Sequence, residues 1–208
     1  MQIRRSEERI MINLTIDEKE YEFEDGMTIY EAAKSRDIPI PTLCHNDMIK
    51  PYGACRICLV EEKGKPTLIP SCSTPISPNM IISTNSDRVK RGRKFVIELL
   101  LSRCPESEEI KNLAKDLGVD TENAESLDLV GTYLLKEAKP AFETKCVLCG
   151  LCVRVCAEIT ERHALGFSKR GIIRKIKTPF EKYATTCIGC GSCAYVCPTN
   201  TITIEEVS

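Results

Sequence analysis

The 208-residue chain has a net charge of −1, with 28% charged and 5% aromatic residues, so it lacks the overall basic field that draws a protein to nucleic acid. No run approaches the roughly 20 apolar residues of a membrane span, and the first twenty residues lack the apolar core of a secretory signal, which leads us to expect a soluble cytoplasmic protein. In that compartment its thirteen cysteines favour metal ligation or redox chemistry over disulfides.

In chain order, Ile12, Leu14 and Ile16 alternate with polar residues, and Tyr21 and Phe23 alternate again after the polar turn 17–20; this predicts a β-hairpin. Asp25-Gly26 turns the chain, and Thr28 with Glu31 forms a capping box for a short helix reaching about Arg36, ahead of Pro39. Strand signals return over 57–61 and 80–84, so residues 10–88 read as a small α+β domain. The run RVKRGRK, residues 88–94, reads as the solvated start of a helix rather than a dock for an acidic partner.

FVIELLL, residues 95–101, is apolar on most sides and predicts a largely buried helix. Ser107 caps a further helix with Ile110, Leu113, Ala114 and Leu117 inward and Gly118 at its end. A weaker helical pattern over 129–139, closed by Pro140, completes a helical connector spanning 89–140. Residues 141–208 hold an internal repeat: TKCVLCGLCVRVC recurs as TTCIGCGSCAYVCP.

The second unit of that repeat, Cys187, Cys190, Cys193, Cys197 and Pro198, matches the C-x2-C-x2-C-x3-C-P run of bacterial ferredoxins, whose first three thiolates bind one cubane while the fourth reaches the other. The expected ligands are therefore crossed: Cys146, Cys149 and Cys152 with Cys197 for one [4Fe–4S] cluster, and Cys187, Cys190 and Cys193 with Cys156 for a second. Gly150, Gly189 and Gly191 supply the backbone freedom that tight turns beside a cluster need. Zinc is the competing reading, but zinc sites pair two-cysteine clips or mix in histidine, and neither repeat does so. Ala157 stands where the first motif would carry proline.

A separate set, Cys44, Cys55, Cys58 and Cys72, has the spacing C-x10-C-x2-C-x13-C. Four thiolates around a central C-x2-C suit a [2Fe–2S] cluster, and zinc competes on chemistry alone. His45 adjoins Cys44, but a Rieske centre needs two histidines and the only other is the distant His163. There is no glycine-rich dinucleotide fingerprint and no phosphate loop.

The words PTLCH, YGACRICLVE and PSCSTP around those four cysteines resemble the [2Fe–2S] domain at the start of the large iron–sulfur subunit of respiratory complex I. They are also similar to the N-terminal region of iron-only hydrogenases and to the diaphorase gamma subunit of NAD-reducing hydrogenases. CVLCGLCVRVCAEIT, FSKRGI and CIGCGSCAYVCPT extend the resemblance, which covers about residues 10–204. It implies a β-grasp [2Fe–2S] domain at 10–88, the connector at 89–140 and a two-cubane ferredoxin-like domain at 141–208. These would form part of an electron wire between a flavin- and NAD(P)-binding diaphorase-type subunit and a catalytic oxidoreductase subunit such as a hydrogenase, a formate dehydrogenase or a bifurcating enzyme. The family commonly carries one more [4Fe–4S] site, held by a histidine and three cysteines; here LLLSRCPESEEI offers only Cys104, so that site is expected to be missing and Cys104 to be structural. The chain is not expected to be catalytic alone. A free-standing polyferredoxin shuttle and a cluster-based redox sensor are the alternatives.

Overall fold

The computed structural model describes residues 11–119, 129–133, 143–182 and 184–204, with the backbone alone at 129 and 130. The described chain is α+β. It packs as two units, one built from the residues up to 41 with 58–90, the other from 42–57 with 91 onward.

The first unit is a five-stranded mixed sheet of order β2-β1-β5-β3-β4, made by β1 (Met11–Ile16), β2 (Lys19–Glu24), β3 (Leu59–Glu62), β4 (Ile69–Pro70) and β5 (Ile81–Ser83). β1 and β2 form the predicted hairpin, with Leu14 opposite Tyr21 and Ile12 opposite Phe23. Asp17 and Glu18 turn it at φ 46° and 69°, the left-handed pair that suits the twist of a two-residue hairpin. β5 runs parallel to β1 and antiparallel to β3. β4, two residues long and ending in a proline, gave no signal in the sequence.

Helix α1 (Ile29–Lys34) begins as its capping box dictates: Thr28 Oγ1 accepts from the Glu31 N–H while the Glu31 carboxylate accepts from the Thr28 N–H at 2.7 Å. It is shorter than predicted, ending at Ser35. Ile29, Ala32 and Ala33 join Ile12, Leu14, Ile16, Val60 and Ile82 in one core, with Cys58 and Cys72 among them. Thr28→Ala removes one half of a reciprocal cap and should cost about 1 kcal/mol, read as a lowered denaturant midpoint of the first unit's unfolding.

Helix α2 (Asp87–Arg103), which belongs to the second unit from Arg91 on, starts earlier than the apolar run suggested. Ile97 and Leu101 are buried, but Phe95 and Leu99 lie exposed, so the helix buries one stripe rather than most of its surface. The basic run also departs from expectation: Arg93 is buried, and within the first unit Arg88 is drawn onto Glu61 at 3.2 Å. α3 (Glu108–Asp116) is capped by Ser107 and stops before Gly118 at φ 75°. α4 (Leu129–Thr132) starts the weak helical pattern; residues 134–140, including Pro140, lie outside the described residues. There follow α5 (Leu151–Glu158), the two-stranded ribbon of β6 (Gly166–Ser168) and β7 (Lys175–Lys177), and α6 (Ser192–Tyr195).

The core of this unit gathers Ile97, Leu101, Cys104, Ile110, Ala114, Val147, Cys149 and Val155, and it includes Leu43, Cys44, Ile49, Cys55 and Ile57 from segment 42–57. That segment lies inside the stretch read from sequence as a single domain, yet its apolar residues belong to the second core. Among the described residues no helix is long and apolar enough to cross a membrane.

Candidate iron–sulfur sites

Both halves of the repeat fold alike. Two cysteines lie on a loop that passes through a left-handed glycine, Gly150 at φ 78° or Gly191 at φ 73°, and the third lies in the first turn of the helix that follows, α5 or α6. A side chain at either glycine would be strained by φ and crowded as well: a Cβ would meet Phe167 Cζ at 3.1 Å in the first case and Ile204 Cδ1 at 2.8 Å in the second. The position two residues before each is also left-handed. It is Gly189 in the second repeat but Leu148, at φ 54°, in the first, so the first loop carries backbone strain of about 1–2 kcal/mol that the second avoids.

Two cavities adjoin these loops. One, of about 570 Å³, is lined by Cys187, Cys190 and Cys193 together with Cys156, which reaches it from α5. The other, of about 380 Å³, is lined by Cys146, Cys149 and Cys152 together with Cys197, which follows α6; Cys193 also borders it. The larger cavity thus takes three thiols from the second repeat and one from the first, and the smaller takes three from the first and two, Cys193 and Cys197, from the second. Cys193, Leu165 and Ile202 line both, which makes the two cavities immediate neighbours.

The electrostatics of the smaller cavity suit a cationic guest. Burial, with the neighbouring Cys146 and Cys197 adding repulsion, pushes the Cys149 thiol up to about 11; burial, with Cys149 and Cys146, pushes Cys152 up to about 12. Four such thiolates crowded together are tolerable only if positive charge sits among them, which is what the iron of a cluster supplies. Backbone donors are already aimed at the sulfurs: the Thr201 N–H donates to Cys197 Sγ and the Ala164 N–H to Cys156 Sγ, both at 3.3 Å. Burial alone would raise Cys197, but the N–H groups of Thr199, Thr201 and Ile202 and the Thr199 hydroxyl outweigh it and hold its thiol below the usual value. Cys190, which is exposed, is lowered by the Ser192 hydroxyl and N–H. The donor sets fit thiolate-bound clusters.

The N-terminal set is distributed over both units. Cys58 and Cys72 are buried in the first, where the Ser71 hydroxyl and N–H both donate to the Cys58 carbonyl, at 2.9 and 3.1 Å. Cys44 and Cys55 are buried in the second, where the Cys55 N–H donates to Cys44 Sγ at 3.4 Å. The hydrogen bond with Cys44, followed by burial, drives the Cys55 thiol far above its usual range. The loop bearing Cys44 and Cys55 is strapped to α5: Arg154 pairs with Glu158 at 3.0 Å, lies over the Tyr52 ring at 5.4 Å and donates to the Lys50 carbonyl, while Glu158 accepts from the Lys50 N–H at 3.3 Å. Cys44 also lies close enough to Cys149 to oppose its ionisation.

Cys104 is fully buried against Ile97, Leu101 and Ile110, and burial pushes its thiol up to about 12. Among the described residues no three His, Cys, Asp or Glu side chains close on a point that a single ion would occupy.

Residues 9–87 match the family described as a 2Fe-2S iron-sulfur cluster binding domain, and residues 145–201 the one described as a 4Fe-4S dicluster domain. Across 188 residues, 82% of this chain and 32% of the relative, the sequence is 33% identical to the NADP-reducing hydrogenase subunit HndD of Solidesulfovibrio fructosivorans. It is 34% identical to a subunit of the NADH-quinone oxidoreductase of Rickettsia bellii over 175 residues, 77% of this chain and 25% of the relative. Over the aligned residues the chain is a homologue of these oxidoreductase subunits. The NADPH-Fe(3+) oxidoreductase subunit alpha of Geobacter sulfurreducens is 32% identical over 77% of the chain and 20% of its own length, so the chain spans about a fifth to a third of these relatives. The fold matches a chain of an NAD+-reducing [NiFe]-hydrogenase in its H2-reduced state, with a TM-score of 0.73 at 24% identity over 91% of this chain and 86% of that one. A [2Fe–2S] domain followed by a [4Fe–4S] dicluster domain is the organisation common to the sequence and the family matches.

Proposed function

We propose that the chain is a one-electron relay subunit of a cytoplasmic NAD(P)-linked oxidoreductase complex. It would hold one [2Fe–2S] cluster through Cys44, Cys55, Cys58 and Cys72 in a β-grasp domain (10–88). Beyond a connector (89–140), a ferredoxin-like domain (141–208) would hold two [4Fe–4S] clusters, through Cys146, Cys149, Cys152 and Cys197 and through Cys156, Cys187, Cys190 and Cys193. The observation that carries this reading is the pair of neighbouring cavities, each lined by the first three thiols of one repeat and reached by the last thiol of the other. The 2-1-5-3-4 sheet with its capped helix supports the β-grasp assignment. When bound, such clusters accept and release single electrons without offering a substrate an open coordination site.

The protein's own part is to gather the thiols, aim N–H groups at their sulfurs and keep the two cubane sites side by side. The partners that suit this role are a flavin- and NAD(P)-binding subunit on one side and a catalytic oxidoreductase subunit on the other; the names of the relatives support that choice.

Anaerobically prepared protein should carry about 10 irons and about 10 acid-labile sulfides per chain, with one [2Fe–2S] and two [4Fe–4S] signals by electron paramagnetic resonance. A count near 14 would reveal a third cubane and overturn the reading of Cys104; stoichiometric zinc in place of iron would overturn the relay itself.

A further inference from the structure

Arg103 ends α2 beside the smaller thiol-lined cavity, and all three nitrogens of its guanidinium donate to main-chain carbonyls. Nε donates to the Cys146 carbonyl at 3.0 Å, one terminal nitrogen to the Arg174 carbonyl at 2.8 Å and the other to the Ile172 carbonyl at 3.4 Å. These acceptors lie on two separate segments. Cys146 opens the first ligand loop, and Arg174 immediately precedes Lys175 and Ile176, which line the same cavity. One side chain therefore pins two walls of that cavity to the end of α2, and it leaves a fixed, partly buried positive charge against a cysteine of the thiol set.

We infer that Arg103 is a positioning and potential-setting residue for the cubane of Cys146, Cys149, Cys152 and Cys197, selectively over the other two clusters. The inference rests on the ligand assignment proposed above. A thiolate-bound cubane gains a negative charge when it takes an electron, and net charge is among the determinants of its potential. A cation nearby stabilises the reduced form, and it does so more strongly where burial limits screening by salt. Lys175 lines the same cavity and adds a charge of the same sign, whereas the clamp on the Cys146 carbonyl belongs to Arg103. Lysine at 103 would keep the charge and lose the fork, because one ammonium cannot reproduce the planar set of donors that reaches three carbonyls.

The test is a potentiometric titration of the anaerobically purified full chain, followed by electron paramagnetic resonance, with the relevant cubane assigned by its loss in Cys146→Ser. Arg103→Gln should lower the midpoint potential of that cubane and leave the other cubane and the [2Fe–2S] cluster where they were. Arg103→Lys should keep the wild-type potential while the cubane is lost faster to oxygen or chelator. Unmoved potentials in Arg103→Gln, or an equal shift of both cubanes, would overturn the inference. Should Arg103→Gln fail to retain the cubane, Arg103→Lys decides: a wild-type potential supports the charge role, and a lowered one refutes it. Wild-type protein lacking two cubane signals would refute the ligand assignment instead, a result that cannot be mistaken for failure of the Arg103 variants.

Discussion

Cys156→Ser should damage the cubane of Cys187, Cys190 and Cys193, which lie more than thirty residues downstream, and spare the one held by its own neighbours Cys146, Cys149 and Cys152. Cys156 lies inside α5, which leads away from the first ligand loop, and its side chain lines the larger cavity with the second loop. There the Ala164 N–H donates to its sulfur. Serine keeps the volume but replaces a soft thiolate by a hard, weakly acidic hydroxyl, which is a poor ligand for an iron–sulfur core. The expected result is loss of the second cubane or its conversion to a three-iron form, with about 1–4 irons fewer per chain. The reciprocal variant, Cys197→Ser, should damage the first cubane, because Cys197 lines the smaller cavity. Damage confined to the cluster of the variant's own repeat would mean that the two motifs bind independently, and the crossed assignment would fall.

What could be read from the sequence was what short-range chemistry decides. The Thr28–Glu31 capping box, the Ser107 cap and the cysteine repeat each depend on residues three or four apart, and the structure reproduces all three locally. Properties set by tertiary packing were not legible. Phe95 and Leu99 belong to an apolar run but face outward, whereas Arg93, from a run of charges, is buried. Periodicity alone does not say which part of such a run meets a core. Segment 42–57 joins the second unit through its apolar residues in that core and through Arg154 and Glu158, about a hundred residues away, gripping the Lys50 main chain. The three carbonyls gathered by Arg103 left no mark either, since main-chain acceptors have no residue identity to read. Leu148 hides a left-handed turn that only comparison with Gly189 at the matching repeat position would have suggested.

The isolated chain should neither oxidise NADH nor pass its electrons to a dye, yet dithionite should bleach its visible absorbance. NADH delivers two electrons as a hydride, and splitting that pair into single electrons is the work of a flavin or a comparable cofactor. The sequence contains no dinucleotide fingerprint, and the two thiol-lined cavities present cysteines rather than the groups that orient a nicotinamide. A flavoprotein subunit with its own NAD(P) site should therefore make bleaching by NADH or NADPH possible. Cys55→Ser or Cys58→Ser should interrupt that route while leaving slow reduction of the cubanes by dithionite intact. Cys55 and Cys58 stand at the centre of the proposed [2Fe–2S] ligand set; Cys58 is the cleaner test, because its core holds no residue of the cubane loops, whereas Cys55 shares a core with Val147 and Cys149. The entry point is also distinguishable by kinetics: in these variants the cubane signals should persist in dithionite and vanish only from the NAD(P)H-driven reaction. Sustained NADH oxidation by flavin-free subunit alone would overturn the relay and demand a catalytic site on this chain. Undiminished reduction through the flavoprotein in Cys55→Ser would instead place the point of entry at one of the cubanes.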